Sequence, residues 1–60
     1  MEDCKVYDSS IGTIKVYVEN SFQNFYCDVD NRYDKHFSNF IEMNNWLISV
    51  NAEFVGYDHD

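Results

Sequence analysis

The sequence of 60 residues has no proline and only two glycines, and it lacks the features that would indicate an enzyme or a membrane protein. It contains no G-x-S-x-G nucleophile elbow, and a chain of this size leaves little volume for a catalytic pocket. It also has no signal-peptide pattern and no apolar run approaching about 18 residues, the length that crosses a membrane. These absences predict a non-enzymatic protein located in the cytosol.

Cysteine and metal chemistry are also poorly represented. Cys4 and Cys27 are the only cysteines, so the chain can form one disulfide at most. We expect two free thiols, with Cys27 packed as a small hydrophobic residue. His36 and His59 do not combine with the cysteines in any zinc spacing, and a segment that begins like a calcium loop lacks the glycine and the last glutamate of such loops. The sequence predicts no metal and no cofactor.

Basic residues are scarce as well. Eleven Asp and Glu stand against four Lys and Arg, which gives a net charge of −7. Such a chain repels nucleic acid and is steered toward basic surfaces, so the sequence predicts a basic protein partner. Aromatic residues make up 18% of the chain, whereas acidic disordered proteins are poor in them. The simpler alternative is that the charge serves solubility alone.

The segment 37–50 (FSNFIEMNNWLISV) is the only run long and periodic enough to predict a helix. Ser38 or Asn39 supplies the N-cap, and Asn39 with Glu42 approximates a capping box. Asn51 suits the left-handed position after the last turn. At about 100° per residue the helix has two apolar stripes. The first stripe consists of Phe40, Ile41, Leu47 and Ile48, and the second of Met43, Trp46 and Val50.

One small sheet cannot cover both stripes, so we expect the first stripe to form the core and the second to need another partner. A domain of this size also buries too little surface to be very stable alone. The sequence therefore predicts a homodimer. Its predicted interface consists of Met43, Trp46, Leu47 and Val50. In a monomer the chain termini would have to cover the second stripe, which is the alternative.

Two strands with strict alternation precede the helix, at 13–19 (TIKVYVE) and 24–30 (NFYCDVD). A turn at 20–23 would join them as an antiparallel hairpin. We expect one face of this hairpin to meet the helix. The predicted inward residues are Ile14, Val16, Val18, Phe25, Cys27 and Val29.

The remaining segments complete the predicted fold. Residues 31–36 are a polar connector, 52–57 (AEFVGY) are a last strand with Phe54 inward, and 58–60 are a tail. Residues 1–10 are either an edge strand or an arm. The predicted architecture is a single α+β domain over 1–60, with an antiparallel sheet of three or four strands, one helix across it and the order β-β-α-β.

The outward face of the hairpin combines carboxylates with aromatic rings. Glu19, Asp28 and Asp30 lie on it at a spacing of roughly 6.7 Å between successive outward residues, which is in the range of phosphate spacing along a nucleic-acid strand. Tyr17 and Tyr26 lie between them, and aromatics with acids suit contact with a basic DNA-binding protein. A solvated polar face is the alternative.

A family resemblance is carried by residues 25–28 (FYCD), the polar connector, and 37–40 (FSNF) at the helix start. These motifs resemble the small acidic uracil-DNA glycosylase inhibitors of Bacillus phages, and the likeness in element order covers residues 13–57. Phe40 matches the family's motif phenylalanine, while Asn39 replaces its aspartate. Ile41 stands where the family has glutamate, with Glu42 one residue later, and the family's following tyrosine has no counterpart.

The resemblance implies a homodimer that acts in the cytoplasm of an infected bacterial cell. An apolar cleft would capture the side chain that the glycosylase inserts into DNA, and carboxylates would face the enzyme's basic groove. Another inhibitor of bacterial defence, such as an anti-CRISPR or anti-restriction protein, and a structural or adaptor module are the alternatives. The residues predicted to bind the partner are Phe40, Glu42, Met43, Trp46, Tyr26, Asp28, Asp30 and Glu19.

Overall fold

A computed structural model of the chain describes residues 3–19 and 24–59 and shows one antiparallel sheet with one helix across it. The predicted turn at 20–23 lies outside the described residues, as do residues 1, 2 and 60. The elements, in chain order, are β1 (Asp3–Ser9), β2 (Gly12–Glu19), β3 (Asn24–Val29), β4 (Arg32–Phe37), α1 (Phe40–Ser49) and β5 (Glu53–His59).

The sheet has the strand order β4-β3-β2-β1-β5, and every neighbouring pair is antiparallel. The predicted α+β class is confirmed. The predicted strand number and element order are wrong in detail, because five strands are described and the order is β-β-β-β-α-β. The last strand, β5, pairs with β1 and not with the hairpin of β2 and β3.

The predicted polar connector at 31–36 is in fact strand β4. Val29 and Arg32 face each other across a two-residue turn of Asp30 and Asn31, whose φ angles of 51° and 66° are both left-handed. Two residues with positive φ form the tight turn that suits the twist of a hairpin. Because β4 is an edge strand, it tolerates charged side chains without apolar alternation, and a search for alternation does not detect it.

The two ends of the chain are strands as well. Residues 3–9 of the segment 1–10 form β1, which lies between β2 and β5 and is therefore neither the edge strand nor the arm that the sequence suggested. The predicted tail is wrong because Asp58 lies in β5. A register shift leaves Val55 as an extra residue, so that Phe54 pairs with Tyr7 and Tyr57 with Lys5. Phe54 and Tyr57 therefore share one face, with their ring centroids 5.3 Å apart.

The core lies between α1 and the middle of the sheet. The predicted inward residues of β2 and β3 are confirmed, since each is buried or half-buried. Phe54 is the exception among the predicted inward strand residues: it lies toward the helix side of the sheet, but its edge strand leaves it half-exposed. The core consists of Ile14, Val16, Phe25, Cys27, Met43 and Leu47.

The helix begins later than predicted, because Phe37 belongs to β4. Asn39 is the N-cap, as expected: its Oδ1 accepts hydrogen bonds from the N–H groups of Ile41 at 2.7 Å and Glu42 at 3.3 Å. Asn51 follows the last turn with a φ of 56°, so its predicted left-handed position is confirmed. A side-chain cap of this kind typically contributes about 1 kcal/mol to helix stability.

The buried side of the helix takes one residue from each predicted stripe: Leu47 of the first is buried as predicted, but Met43 of the second joins it. Met43 and Leu47 are each only 4% exposed and form the buried side of α1. In contrast, Phe40, Ile41 and Ile48 are 56%, 67% and 66% exposed. We call these three residues the outer helix stripe. The sequence indicates two apolar stripes, but the position of the helix over the sheet decides which residues of each are buried.

Candidate functional site

The two sides of the sheet differ in charge, and this difference defines the candidate site. We call the side away from α1 the outer face. Side chains alternate between the two sides along each strand, so the strand registers assign each residue to one side. The acidic residues of the outer face are Asp8, Glu19, Asp28, Glu53 and Asp58.

Lys15 is the only basic residue on the described outer face, and its Nζ pairs with Asp58 Oδ2 at 3.0 Å. The other basic residues of the chain, Lys5, Arg32 and Lys35, are in register with Val16, Val29 and Cys27 and so lie on the helix side. Charge is therefore segregated: the outer face is strongly acidic, and most of the positive charge lies across the sheet. Sequence reasoning missed this segregation of charge, because assigning the residues to one side requires the registers of β1, β4 and β5.

Glu19, Tyr26 and Asp28 lie on the outer face, as predicted. Tyr26 Oη is 3.4 Å from Glu19 Oε1 and donates to it, and Tyr17 is the direct cross-strand neighbour of Tyr26. Desolvation, followed by the charge of Glu19 and this hydrogen bond, raises the pKa of Tyr26. Its hydroxyl therefore stays protonated at neutral pH and donates to the carboxylate.

Asp30 has a different environment from the one predicted. It lies in the β3–β4 turn, and its Oδ1 accepts a hydrogen bond from the Thr13 N–H at 3.0 Å. Glu42 lies away from the outer face, in the first turn of α1. A carboxylate there interacts favourably with the helix dipole. These two predicted partner-binding acids therefore do not join Glu19 and Asp28 in one array.

A groove of about 240 Å³ opens between α1 and the helix side of the sheet. Its volume is below the about 300–1,000 Å³ of small-molecule sites, and it suits a single side chain better. The ring centroid of Phe40 lies 6.1 Å from that of Phe25, so the two rings form one wall. The lining residues are Lys5, Val16, Val18, Phe25, Phe40 and Met43.

The groove is lined by Phe40 and Met43, which were predicted to bind the partner, but not by Trp46. Trp46 packs on Phe37 of β4 with 5.6 Å between ring centroids, and Lys35 Nζ lies 5.9 Å above the Trp46 ring. Within one chain, therefore, Trp46 does not share a cleft with Phe40 and Met43. Sequence reasoning also missed Lys5, because it left the strand state of residues 1–10 open.

The predicted dimer residues are largely engaged within the chain. Met43 and Leu47 are core residues, and Trp46 and Val50 are half-buried and pack against the core. The outer helix stripe is the apolar part of α1 that the chain leaves uncovered. A partner surface on the helix would therefore involve Phe40, Ile41 and Ile48 and not the stripe that the sequence suggested.

Both cysteines are buried free thiols, as expected. Cys27 is in register with Val16, which faces Lys5, so the adjacent Cys4 lies on the opposite side of the sheet. The two thiols cannot form a disulfide across the sheet within this fold. Burial, with smaller contributions from Asp28 and Asp34, raises the pKa of Cys27 to about 12. Its thiol is protonated and unreactive at neutral pH.

Among residues 3–19 and 24–59, no three His, Cys, Asp or Glu side chains converge as a metal site would require. No helix in the described part of the chain is long and apolar enough to cross a membrane. Comparison of the sequence with protein-family models and curated proteins, and of the fold with solved structures, finds no match.

Proposed function

We propose that this protein inhibits a basic DNA-binding enzyme by placing its acidic outer face in the enzyme's DNA-binding groove. Uracil-DNA glycosylase of an infected bacterial host is our leading candidate target, because residues 25–28 and 37–40 resemble the phage inhibitors of that enzyme. The protein would act in the host cytoplasm. A DNA-binding enzyme of bacterial defence is the alternative target of the same kind.

The observation that carries this proposal is the segregation of charge across the sheet. A net charge of −7 favours basic partners in general, but its concentration on one face gives a contact surface of defined orientation. Asp28 and Glu19 lie on neighbouring strands of that face, with Tyr26 beside them. DNA likewise presents a charged, ordered surface to such an enzyme.

The groove beside α1 provides the candidate apolar anchor in this proposal. Phe40 and Met43 would hold the side chain that the enzyme inserts into DNA, as the resemblance implies. The groove and the outer face lie on opposite sides of the sheet, so an enzyme that contacts both must reach around a sheet edge. Phe40→Ala tests the anchor: we expect faster dissociation from the enzyme. Circular dichroism checks folding and light scattering checks self-association, because Phe40 also belongs to the outer helix stripe.

Self-association through the outer helix stripe is the second part of the proposal. An isolated chain leaves Phe40, Ile41 and Ile48 exposed to water, and a second copy presents the same stripe for an isologous contact. Glu42 is the only charged residue of α1. Two negatively charged chains would therefore meet at one of their least charged surfaces, and both outer faces would remain accessible.

The deciding experiment is inhibition of uracil excision by the purified protein, combined with competition against DNA. A DNA mimic must displace DNA from the enzyme, and its association must slow as salt is added, because exposed charges are screened beyond roughly 8–10 Å at physiological ionic strength. If DNA binds the complex with unchanged affinity, mimicry is wrong. The exposed outer helix stripe would then favour a structural or adaptor role.

A matched pair of variants identifies the face that docks. Asp28→Asn and Glu42→Gln each remove one negative charge, from the outer face and from the helix respectively. We expect Asp28→Asn to slow association at low salt by more than Glu42→Gln. Equal or reversed effects would contradict docking through the outer face and favour the helix end, where the resemblance places a carboxylate.

A further inference from the structure

An aromatic cluster lies at the β3–β4 end of the outer face. The ring centroid of Tyr26 lies 4.9 Å from that of His36 and 6.5 Å from that of Tyr33, with tilts of 38° and 50°. His36 Nε2 is 2.9 Å from Asn24 Oδ1 across the strands, which orients the imidazole. Tyr33 is 64% exposed, so most of its ring surface is accessible to a partner.

Carboxylates flank this cluster on both sides. Asp28 is the direct cross-strand neighbour of Tyr33, and side chains opposite each other on one face are separated by about 4.5–5.5 Å between Cβ atoms. At the other end, Glu19 Oε1 lies 3.4 Å from Tyr26 Oη. An exposed ring with an adjacent carboxylate offers a planar cation both a stacking surface and an ion-pair partner.

We propose that Tyr33, Tyr26 and Asp28 form a binding site for an arginine side chain of the basic partner. The identity of the partner in this inference rests on the proposed function, whereas the chemistry of the site does not. A guanidinium is planar and weakly hydrated, stacks on aromatic faces and pairs with a carboxylate through two parallel hydrogen bonds. A lysine ammonium is compact and strongly hydrated, so it gains less from the same surface.

The register of the sheet supports this assignment over stacking of a nucleic-acid base. A base brings phosphates with it, and the outer face that surrounds the rings contains five carboxylates and one lysine. These carboxylates would therefore repel the phosphates of a nucleic acid, whereas they attract the positive charge of an arginine. Sequence reasoning missed Tyr33 and His36, because it assigned residues 31–36 to a connector.

The test uses peptides and needs no enzyme. The ¹⁵N-labelled protein is titrated with a short arginine-rich peptide, with the same peptide carrying lysine, and with the same peptide carrying citrulline, which is neutral and nearly isosteric with arginine. We expect the arginine peptide to bind about two- to fivefold more tightly than the lysine peptide, the range that an exposed cation–π contact provides. The shifted amides should be those of Tyr26, Asp28, Tyr33 and His36.

Two tyrosines provide the matched variants. Tyr33→Ala should abolish the preference for arginine, whereas Tyr57→Ala should retain it, because Tyr57 is similarly exposed at 65% but lies on the helix side. Both side chains are largely exposed, so both variants should fold, as circular dichroism would check. Equal binding of arginine and lysine peptides, equal binding of the citrulline peptide, or shifts centred elsewhere would overturn the site.

The inference and the proposed function can fail separately. A preference for arginine that Tyr33→Ala abolishes, without inhibition of any DNA-binding enzyme, would support the site and contradict the function. Inhibition of uracil excision that is the same for Tyr33→Ala and the natural chain would support the function and contradict the site. A measurable loss of inhibition in Tyr33→Ala, of up to about tenfold, with none in Tyr57→Ala, would support both.

Discussion

Asp30 and Thr13 exchange two hydrogen bonds across the sheet. The Thr13 N–H donates to Asp30 Oδ1 at 3.0 Å, and the Asp30 N–H donates to the Thr13 carbonyl oxygen at 2.8 Å. The side chain of Asp30 thereby connects its β3–β4 turn to the start of β2, one residue beyond the pairing of Ile14 with Val29. A carboxylate that the sequence suggested for partner binding thus has a structural role.

This relationship predicts different effects for two substitutions of Asp30. Asp30→Ala removes the acceptor for the Thr13 N–H, and we expect a loss of about 0.5–1.5 kcal/mol in unfolding free energy. Asp30→Asn retains an oxygen acceptor, so most of the stability should remain. Urea denaturation measures both. Equal stability of the alanine variant and the natural chain would show that the hydrogen bond contributes nothing.

Gly12 lies against the same carboxylate. A Cβ built at Gly12 would be 2.5 Å from Asp30 Oδ2, and its φ of +128° is unfavourable for any residue with a side chain. We expect Gly12→Ala to cost more than the about 1–3 kcal/mol of backbone strain alone. Gly56→Ala is the control, because its φ of +151° is also strained but no atom of the described residues lies within 4 Å of its Cβ. A thermal melt in which Gly56→Ala is the less stable variant would contradict this account.

The outer helix stripe predicts the oligomeric state. We expect the natural chain to be a dimer in light scattering at tens of micromolar, and Ile48→Glu to be a folded monomer, because a buried charge would disrupt an apolar contact. Tyr33→Glu is the control, since it adds the same charge at a site of similar exposure on the outer face. A monomeric natural chain would refute self-association through this stripe.

The buried Cys27 predicts loss of stability at alkaline pH. Its pKa is raised from 9.0 to about 12 in the folded chain, so between these values the unfolded chain loses a proton that the folded chain retains. The contribution of this thiol to the unfolding free energy should therefore be fully present below about pH 9 and be lost as pH rises toward 12. Cys27→Val should flatten this slope. Some decline in unfolding free energy at alkaline pH should remain in Cys27→Val, because burial also raises the pKa of Tyr7.

The same burial predicts thiol behaviour at neutral pH. A reducing agent should leave the melting temperature unchanged, because Cys4 and Cys27 are separate free thiols. Neither should react with a thiol reagent at pH 7 until the chain unfolds. Rapid modification of the native protein, or a melting temperature several degrees lower in reducing agent, would contradict the buried, unbridged arrangement.

Local patterns predicted part of this structure well. The alternation in β2 and β3 identified their inward residues, because a strand with one buried face places every second side chain inside. Asn39 was recognisable as an N-cap from its side-chain chemistry and from the helical run that follows. The β4 strand was missed, because an edge strand with charged side chains has no apolar alternation to detect.

The candidate site was only partly predictable for a related reason. Glu19, Tyr26 and Asp28 share a face within one hairpin, so their relationship follows from the alternation of two strands. Asp8, Glu53 and Asp58 join that face only through the pairing of β1 with β2 and with β5. Tyr33 joins it through a register shift in β4 that no local pattern indicates.

The sequence by itself determined the charge imbalance, the apolar circumference of the helix and the faces of the central hairpin, because each depends on composition or on one local period. Only the tertiary structure decided which apolar residues of the helix are buried. Met43 and Leu47 meet the sheet, and Phe40, Ile41 and Ile48 do not. Apolar residues around a helix are equivalent until a sheet covers some of them, and strand pairing positions that sheet through contacts between residues distant in sequence.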